Sequence, residues 1–296
     1  MKKIVTFINW HQYGDLYHLR GMLSWIVRHL QETDIECNFL HNCDNLPQLV
    51  DGVSFSHFRP HHNREEIFSH TYTGVRGVHE LIINTWIASY PNFCGTFDCI
   101  NATTLHEQAI YIINIINFTY GINIPHPEVV DIIPTTPTNL PNISAVGELL
   151  KLTKKYKKRV LLCNGPVHSS QTPQFSIAEK IKTVVNEHKD CAFIYTEKDP
   201  AIQLDNEFVI DDIIPRNNLN EIIYISTFCD VLVSRMSGPG CAICTRENFF
   251  NQDVSFICLT DNQNLAHWYK NGTCKYDWTN DYSDKSIIEI IKKHLS

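Results

Sequence analysis

From Lys158 to the C-terminus, short fully apolar runs alternate with segments of helical period, and this rhythm constrains the fold more than any other feature. Arg159–Cys163, Cys191–Thr196, Phe208–Ile210, Asp230–Ser234 and Val254–Leu259 read as strands, most apolar on both faces as in a buried parallel sheet. Between them, 174–187, 218–228, 239–248 and 285–294 read as helices. A chain of this pattern is expected to wind helices over both faces of a parallel sheet, with ligands outside the carboxyl ends of the strands. Two loops fall there: Asn164-Gly-Pro-Val-His-Ser-Ser-Gln171, and Ser237-Gly-Pro-Gly240.

The second loop runs straight into a helical sequence. A helix start exposes unpaired N–H groups and partial positive charge, and glycine lets an anion approach the backbone closely. A tight turn that binds nothing has the same composition. Neither Gly-X-Gly-X-X-Gly nor the GxxxxGK[ST] phosphate loop is present, so nicotinamide, flavin and P-loop chemistry are not expected.

The first half opens with a strand, 3–8, a loop, and a helix carried by Leu16, Leu19, Leu23, Ile26, Val27 and Leu30. Strands are expected at 35–40 and 53–58 and a helix over 64–90. The apolar segment 105–117 reads as a buried helix, with a strand as the alternative. Pro125, Pro127, Pro134, Pro137 and Pro141 mark an extended linker. The expected domains are 1–144 and 145–296, each near the size of one ordinary domain.

A net charge of −7 argues against nucleic acid as a partner. The basic run Lys151–Arg159 reads as a solvated helix end. The eleven cysteines follow no framework spacing and no signal peptide or membrane-spanning run is visible, so a reducing cytoplasm is expected. Cys241-Ala-Ile-Cys244 has metal or redox spacing. Without a second pair, both cysteines read as buried helix positions, and no metal site is expected.

Taken together, strand 3–8 followed by Tyr13-Gly14-Asp15-Leu16, the Val160-Leu-Leu-Cys-Asn-Gly165 strand and loop, and Leu219–Gly240 resemble the heptosyltransferase-type glycosyltransferases of the GT-B fold. The resemblance implies two Rossmann-like α/β domains facing across a cleft, an N-terminal acceptor side and a C-terminal nucleotide-sugar side. It implies a sugar transferred from a nucleotide-diphosphate sugar to the hydroxyl of a glycan or other acceptor, with inversion. Asp15 takes the place of that family's base; a helix cap is the other reading of this residue. His11, Tyr13, Gly14 and His18 make up the acceptor-side loop, the two histidines being alternative bases.

On the donor side, Asn164, His168, Ser169, Glu197, Ser237, Gly238, Pro239 and Gly240 are the candidates. Arg235 either adds positive charge or forms a surface ion pair. No Asp-X-Asp stands in a strand-end loop, so transfer without a metal or other cofactor is expected. A nucleotide-sugar epimerase and a non-catalytic nucleotide- or sugar-binding protein of the same fold are the alternatives.

Overall fold

The computed structural model describes residues 1–9, 13–41, 55–60, 70–75, 77–85, 102–167, 172–214, 219–235, 238–261 and 272–296. Side chains 13, 15, 57–60, 70–73, 75 and 102–104 lie outside that description. The chain forms two compact units, Met1–Thr135 and Thr136–Ser296.

In the first unit, β1 (Lys2–Asn9), α1 (Tyr13–His18), α2 (Arg20–Leu30), β2 (Ile35–His41), β3 (His57–Pro60), β4 (His70–Val75), β5 (Val78–Asn84) and α3 (Ala102–Tyr120) follow in order. The sheet runs β3-β2-β1-β5-β4. β1, β2, β3 and β5 are parallel, and β4 pairs antiparallel with β5. Leu23, Ile26, Val27 and Leu30 are fully buried on the inner face of α2, as their spacing requires.

The helix expected over 64–90 is not formed: the described part of that region is the β4–β5 hairpin. Its apolar positions at 75, 78, 81 and 82 fit either period, and pairing with β1 decides between them. Gly77, at φ 85°, supplies the left-handed turn residue that closes the hairpin. The segment 105–117 lies in α3, so the strand alternative falls.

The proline-rich stretch packs on the first unit. Trp25 Nε1 donates to Pro125 O at 2.9 Å, and His106 Nε2 donates to Pro127 O at 2.7 Å. Asn117 exchanges two hydrogen bonds with Ile124. Ile132 and Ile133, in and just after a 3₁₀ turn at Val129–Ile132, are buried. From Thr136 the chain's partners change: its N–H and hydroxyl both donate to Glu247 at 2.8 Å, and Asn142 binds buried Glu221 twice at 3.0 Å. The units therefore divide at Thr135/Thr136, ahead of the 144/145 position that the sequence texture suggests.

The second unit begins with α4 (Ile143–Thr153) and β6 (Lys158–Cys163), then α5 (Ile177–Glu187), β7 (Cys191–Tyr195), β8 (Glu207–Val209), α6 (Ile210–Ile213) and α7 (Leu219–Ser226). It continues with β9 (Val231–Ser234), α8 (Gly238–Ala242), α9 (Arg246–Phe249), β10 (Ser255–Leu259), β11 (Lys275–Thr279) and α10 (Asp284–Leu295). The six strands run β11-β10-β9-β6-β7-β8, every neighbouring pair parallel. Counted from β6, the order is the doubly wound one, reversing direction between β6 and β9. Val160, Leu162, Phe193, Val233, Ile181 and Ile291 join one sheet face to α5 and α10 in a continuous core.

Two details differ from expectation. β11 is an additional edge strand, hidden in sequence because its Lys-Tyr-Asp-Trp-Thr alternation is only half-buried. The helix expected over 239–248 is two short ones: Thr245 is extended at φ −104°, ψ 163°, and starts α9 afresh. Cys241 is half-buried in α8, and Cys244 is buried beyond its end with Sγ donating to Gly240 O at 3.3 Å. Among the described residues, no helix is long and apolar enough to cross a membrane.

Candidate functional site

In the first unit the strand order reverses between β1 and β5, and a buried polar cluster sits at their carboxyl ends. Asn9 Nδ2 donates to Thr85 Oγ1 at 3.2 Å, and Thr85 donates to Ile8 O through both N–H (2.9 Å) and hydroxyl (3.1 Å). Gln108 Nε2 closes the cluster on Thr85 O at 3.0 Å. All three residues are fully buried. Sequence reasoning missed them; the signal was a polar residue ending each of two apolar strands, Ile8-Asn9 and Ile83-Asn84-Thr85.

This cluster holds the strand end from which the chain reaches α1. Because α1 starts at Tyr13, Asp15 lies within its first turn rather than at the capping position. Gly14 is buried, and so is His18, whose imidazole is kept neutral by desolvation, well below its ordinary pKa. His11 and the side chains of Tyr13 and Asp15 lie outside the described residues.

In the second unit the candidate donor residues come from β6, β7 and β9, at the carboxyl edge where the strand order reverses. Asn164 is a brace. Its Oδ1 accepts from Glu197 N (2.9 Å) and Thr196 Oγ1 (3.1 Å), and its Nδ2 donates to Glu197 O (2.9 Å). The end of β6 is thereby tied to the end of β7. Glu197 lies against the Gly165 backbone, where a side-chain Cβ would come within 2.4 Å of its Oε1. Glycine at 165 thus reserves space for a carboxylate.

Arg235, just past β9, is buried at 2% exposure, so the surface ion pair is not what forms. Its Nη2 donates to Asn164 O (2.6 Å) and Gly165 O (2.5 Å), its Nη1 donates to Phe175 O (2.7 Å), and the group lies over the Phe175 ring. Among the described residues, no carboxylate makes ion-pair contact with it. Burial pulls the guanidinium below its ordinary pKa, opposed by the more distant Glu197. A buried cation whose direct hydrogen-bond acceptors are all neutral carbonyls is costly; Glu197 and Asp199 offset part of that cost at longer range, and an incoming anion would relieve more of it.

Past Arg235, α8 begins at Gly238. A Cβ on Gly240 would fall 1.8 Å from Ser234 Oγ, so glycine is what allows this turn to pack on the end of β9. With only five residues, α8 has little macrodipole, and Arg235 is the stronger source of positive charge here. His168, Ser169 and Ser237 lie outside the described residues. From Lys198, the residue after Glu197, a cavity of about 290 Å³ opens between Lys198, Ile202, Leu204, Glu207 and Asp212, at the foot of the ~300–1,000 Å³ range of small-molecule sites.

No protein-family model matches the chain, and no curated protein does. Solved structures do. The glycosyl transferase family 9 protein of Veillonella parvula superposes with a TM-score of 0.52 at 13% identity, over 99% of this chain and 97% of that one. E. coli ADP-heptose LPS heptosyltransferase II gives 0.50 at 11%, over 100% and 98%. At a TM-score of 0.47 and 10% identity stands the Neisseria meningitidis UDP-GlcNAc 2-epimerase bound to UDP-GlcNAc, over 98% and 91%. The first two matches show the fold: the chain has the two-domain, Rossmann-like architecture of GT-B proteins. A fold does not specify a reaction.

Proposed function

We propose that this GT-B chain transfers a sugar from a nucleotide-diphosphate sugar to an acceptor hydroxyl, with inversion and without a metal ion or other cofactor. The observation that carries the reading is Arg235: a buried guanidinium with no carboxylate partner among the described residues, at the carboxyl edge where the strand order reverses. A diphosphate supplies the missing negative charge. Gly238 lets it approach the backbone and Gly240 keeps the turn packed on the end of β9, with Pro239 fixing the turn and the hydroxyls of Ser169 and Ser237 and the ring of His168 completing the contacts. Glu197, braced by Asn164, accepts from a ribose or sugar hydroxyl, and the adjoining cavity takes part of the nucleoside.

In the reaction, Asp15 takes the proton of the acceptor hydroxyl as its oxygen bonds to the anomeric carbon. The bond from that carbon to the diphosphate oxygen breaks, and the nucleoside diphosphate leaves carrying the electron pair. His11, Tyr13, Gly14 and His18 shape the acceptor side. Nucleic acid is no partner in this scheme.

Asp15→Asn is expected to lower kcat by about 10²–10⁴, the usual contribution of a positioned base, while donor affinity stays unchanged. Steady-state kinetics with direct donor titration checks this. Full turnover in Asp15→Asn removes the residue from the mechanism.

A further inference from the structure

At the opposite, amino edge of the second sheet, the turn joining α5 to β7 brings three different donor side chains together. His188, Asp190 and Cys191 each offer one ligand atom, all within 4.8 Å of one another. Among the described residues this is the one cluster of three such groups. Cys191 is buried, His188 half-buried and Asp190 exposed, so a cation could be anchored by sulfur on the inside and still be reached from solvent. We propose that this turn is a binding site for a borderline-soft divalent transition cation, zinc by its chemistry, held by the Cys191 thiolate, the His188 imidazole and the Asp190 carboxylate, with water as fourth ligand.

The backbone of the turn is already built. Asn206, itself buried, donates from Nδ2 to Val185 O (3.2 Å), His188 O (3.2 Å) and Cys191 O (3.1 Å), and Cys191 N donates to His188 O at 3.1 Å. The ligand-bearing residues thus sit on a fixed frame rather than a free loop. A tetrahedral site with bonds of about 2.0–2.3 Å spaces its donors roughly 3.3–3.8 Å apart, so closure from the observed spacing takes side-chain adjustments of about an ångström. Lys157, 3.1 Å from Asp190 Oδ2, is the competing cation. It engages only one carboxylate oxygen, whereas the other, Oδ1, is 3.8 Å from Cys191 Sγ.

Thiolate with imidazole and one carboxylate suits zinc or cobalt over magnesium or calcium, which take oxygen ligands. Burial and the neighbouring Asp190 push the Cys191 thiol up to about 11. Binding therefore forms a metal–sulfur bond and releases the thiol proton to solvent. Cys191 begins β7 and Thr196 follows its end, so about 17 Å of strand separates this turn from the donor residues. The ion's role is to fasten the end of α5 to the start of β7, and the inference stands independently of the transfer reaction.

The test is titration of reduced, chelator-stripped full-length protein with Co²⁺, followed in the near ultraviolet, with Zn²⁺ as competitor. The expected result is a thiolate-to-cobalt charge-transfer band that saturates at one equivalent and is abolished by Zn²⁺. The band disappears in Cys191→Ser, and His188→Ala, a half-exposed change, weakens Co²⁺ binding by more than about tenfold. Absence of the band overturns the proposal. So does a band surviving Cys191→Ser, which would assign the thiolate to another cysteine. If Cys191→Ser fails to fold, His188→Ala decides, and wild-type Co²⁺ affinity in that variant overturns the site.

Discussion

Arg235→Met is expected to lower the stability of the second unit by at least about 3 kcal/mol and nucleoside-diphosphate affinity by about 100-fold, itself about 2.7 kcal/mol. The stability loss follows from the three carbonyls it leaves behind. Asn164 O, Gly165 O and Phe175 O all receive hydrogen bonds from this one side chain; Gly165 is buried and the other two are half-buried, and an acceptor left buried without a partner costs about 1–3 kcal/mol. The affinity loss follows from charge, because methionine keeps the bulk and removes the only buried cation at this edge among the described residues.

Arg235→Lys separates the two effects. Lysine keeps the charge but cannot span three carbonyls with one planar fork, so it should lose stability and retain part of the affinity. Urea midpoints with nucleotide titrations read both quantities. A methionine variant that binds nucleoside diphosphate as the wild type does would reduce Arg235 to a structural pin.

Gly21→Ala is the second large effect, and its sign separates two forces. Alanine is a better helix former than glycine, by up to about 1 kcal/mol in a helix interior and less in the first turn of α2 where Gly21 stands, so propensity alone predicts stabilisation. At position 21, a Cβ would fall 2.0 Å from Ile132 O and 2.3 Å from Ile132 C. Both are backbone atoms, so α2 must separate from the 3₁₀ turn at Val129–Ile132 and expose buried contacts on both sides. Overpacking costs about 1–3 kcal/mol, and more where the obstacle cannot rotate away. The expected net change is a loss of about 2 kcal/mol in the first unit, with nucleotide affinity unchanged. A variant as stable as the wild type would show that α2 and that turn are not held this closely.

Much of the second unit was legible because β6, β7, β9 and β10 are apolar on both faces, which only a sheet covered on both sides satisfies. The first unit was harder. Val75, Val78, Leu81 and Ile82 fit a helical face as well as a hairpin, and the deciding contact with β1 lies some seventy residues away. β11 went unread because an edge strand needs no continuous apolar run.

At the carboxyl edge of the second sheet, the sequence marks where the loops fall and not how they are held. Asn164 stands among the candidate donor contacts, and its side-chain bonds to Thr196 and Glu197 are a relation its local sequence does not encode. Arg235 beside a strand end suits solvent as well as a buried role; only the return of residues 164, 165 and 175 around it decides. Asn9, Thr85 and Gln108 are polar residues whose partners come from three distant segments, a relation no local pattern encodes.

The most direct test of a donor site is a thermal-shift panel with UDP, GDP, ADP, dTDP and CMP, each with and without EDTA. At about 100 times its dissociation constant a ligand adds roughly 2.7 kcal/mol to stability, which a melting curve resolves readily. One nucleoside diphosphate is expected to raise the melting temperature selectively, by the same increment in both conditions, and Arg235→Met to abolish the rise. Stabilisation by no nucleotide, or only by one supplied with a divalent ion that EDTA removes, would contradict the proposed donor site.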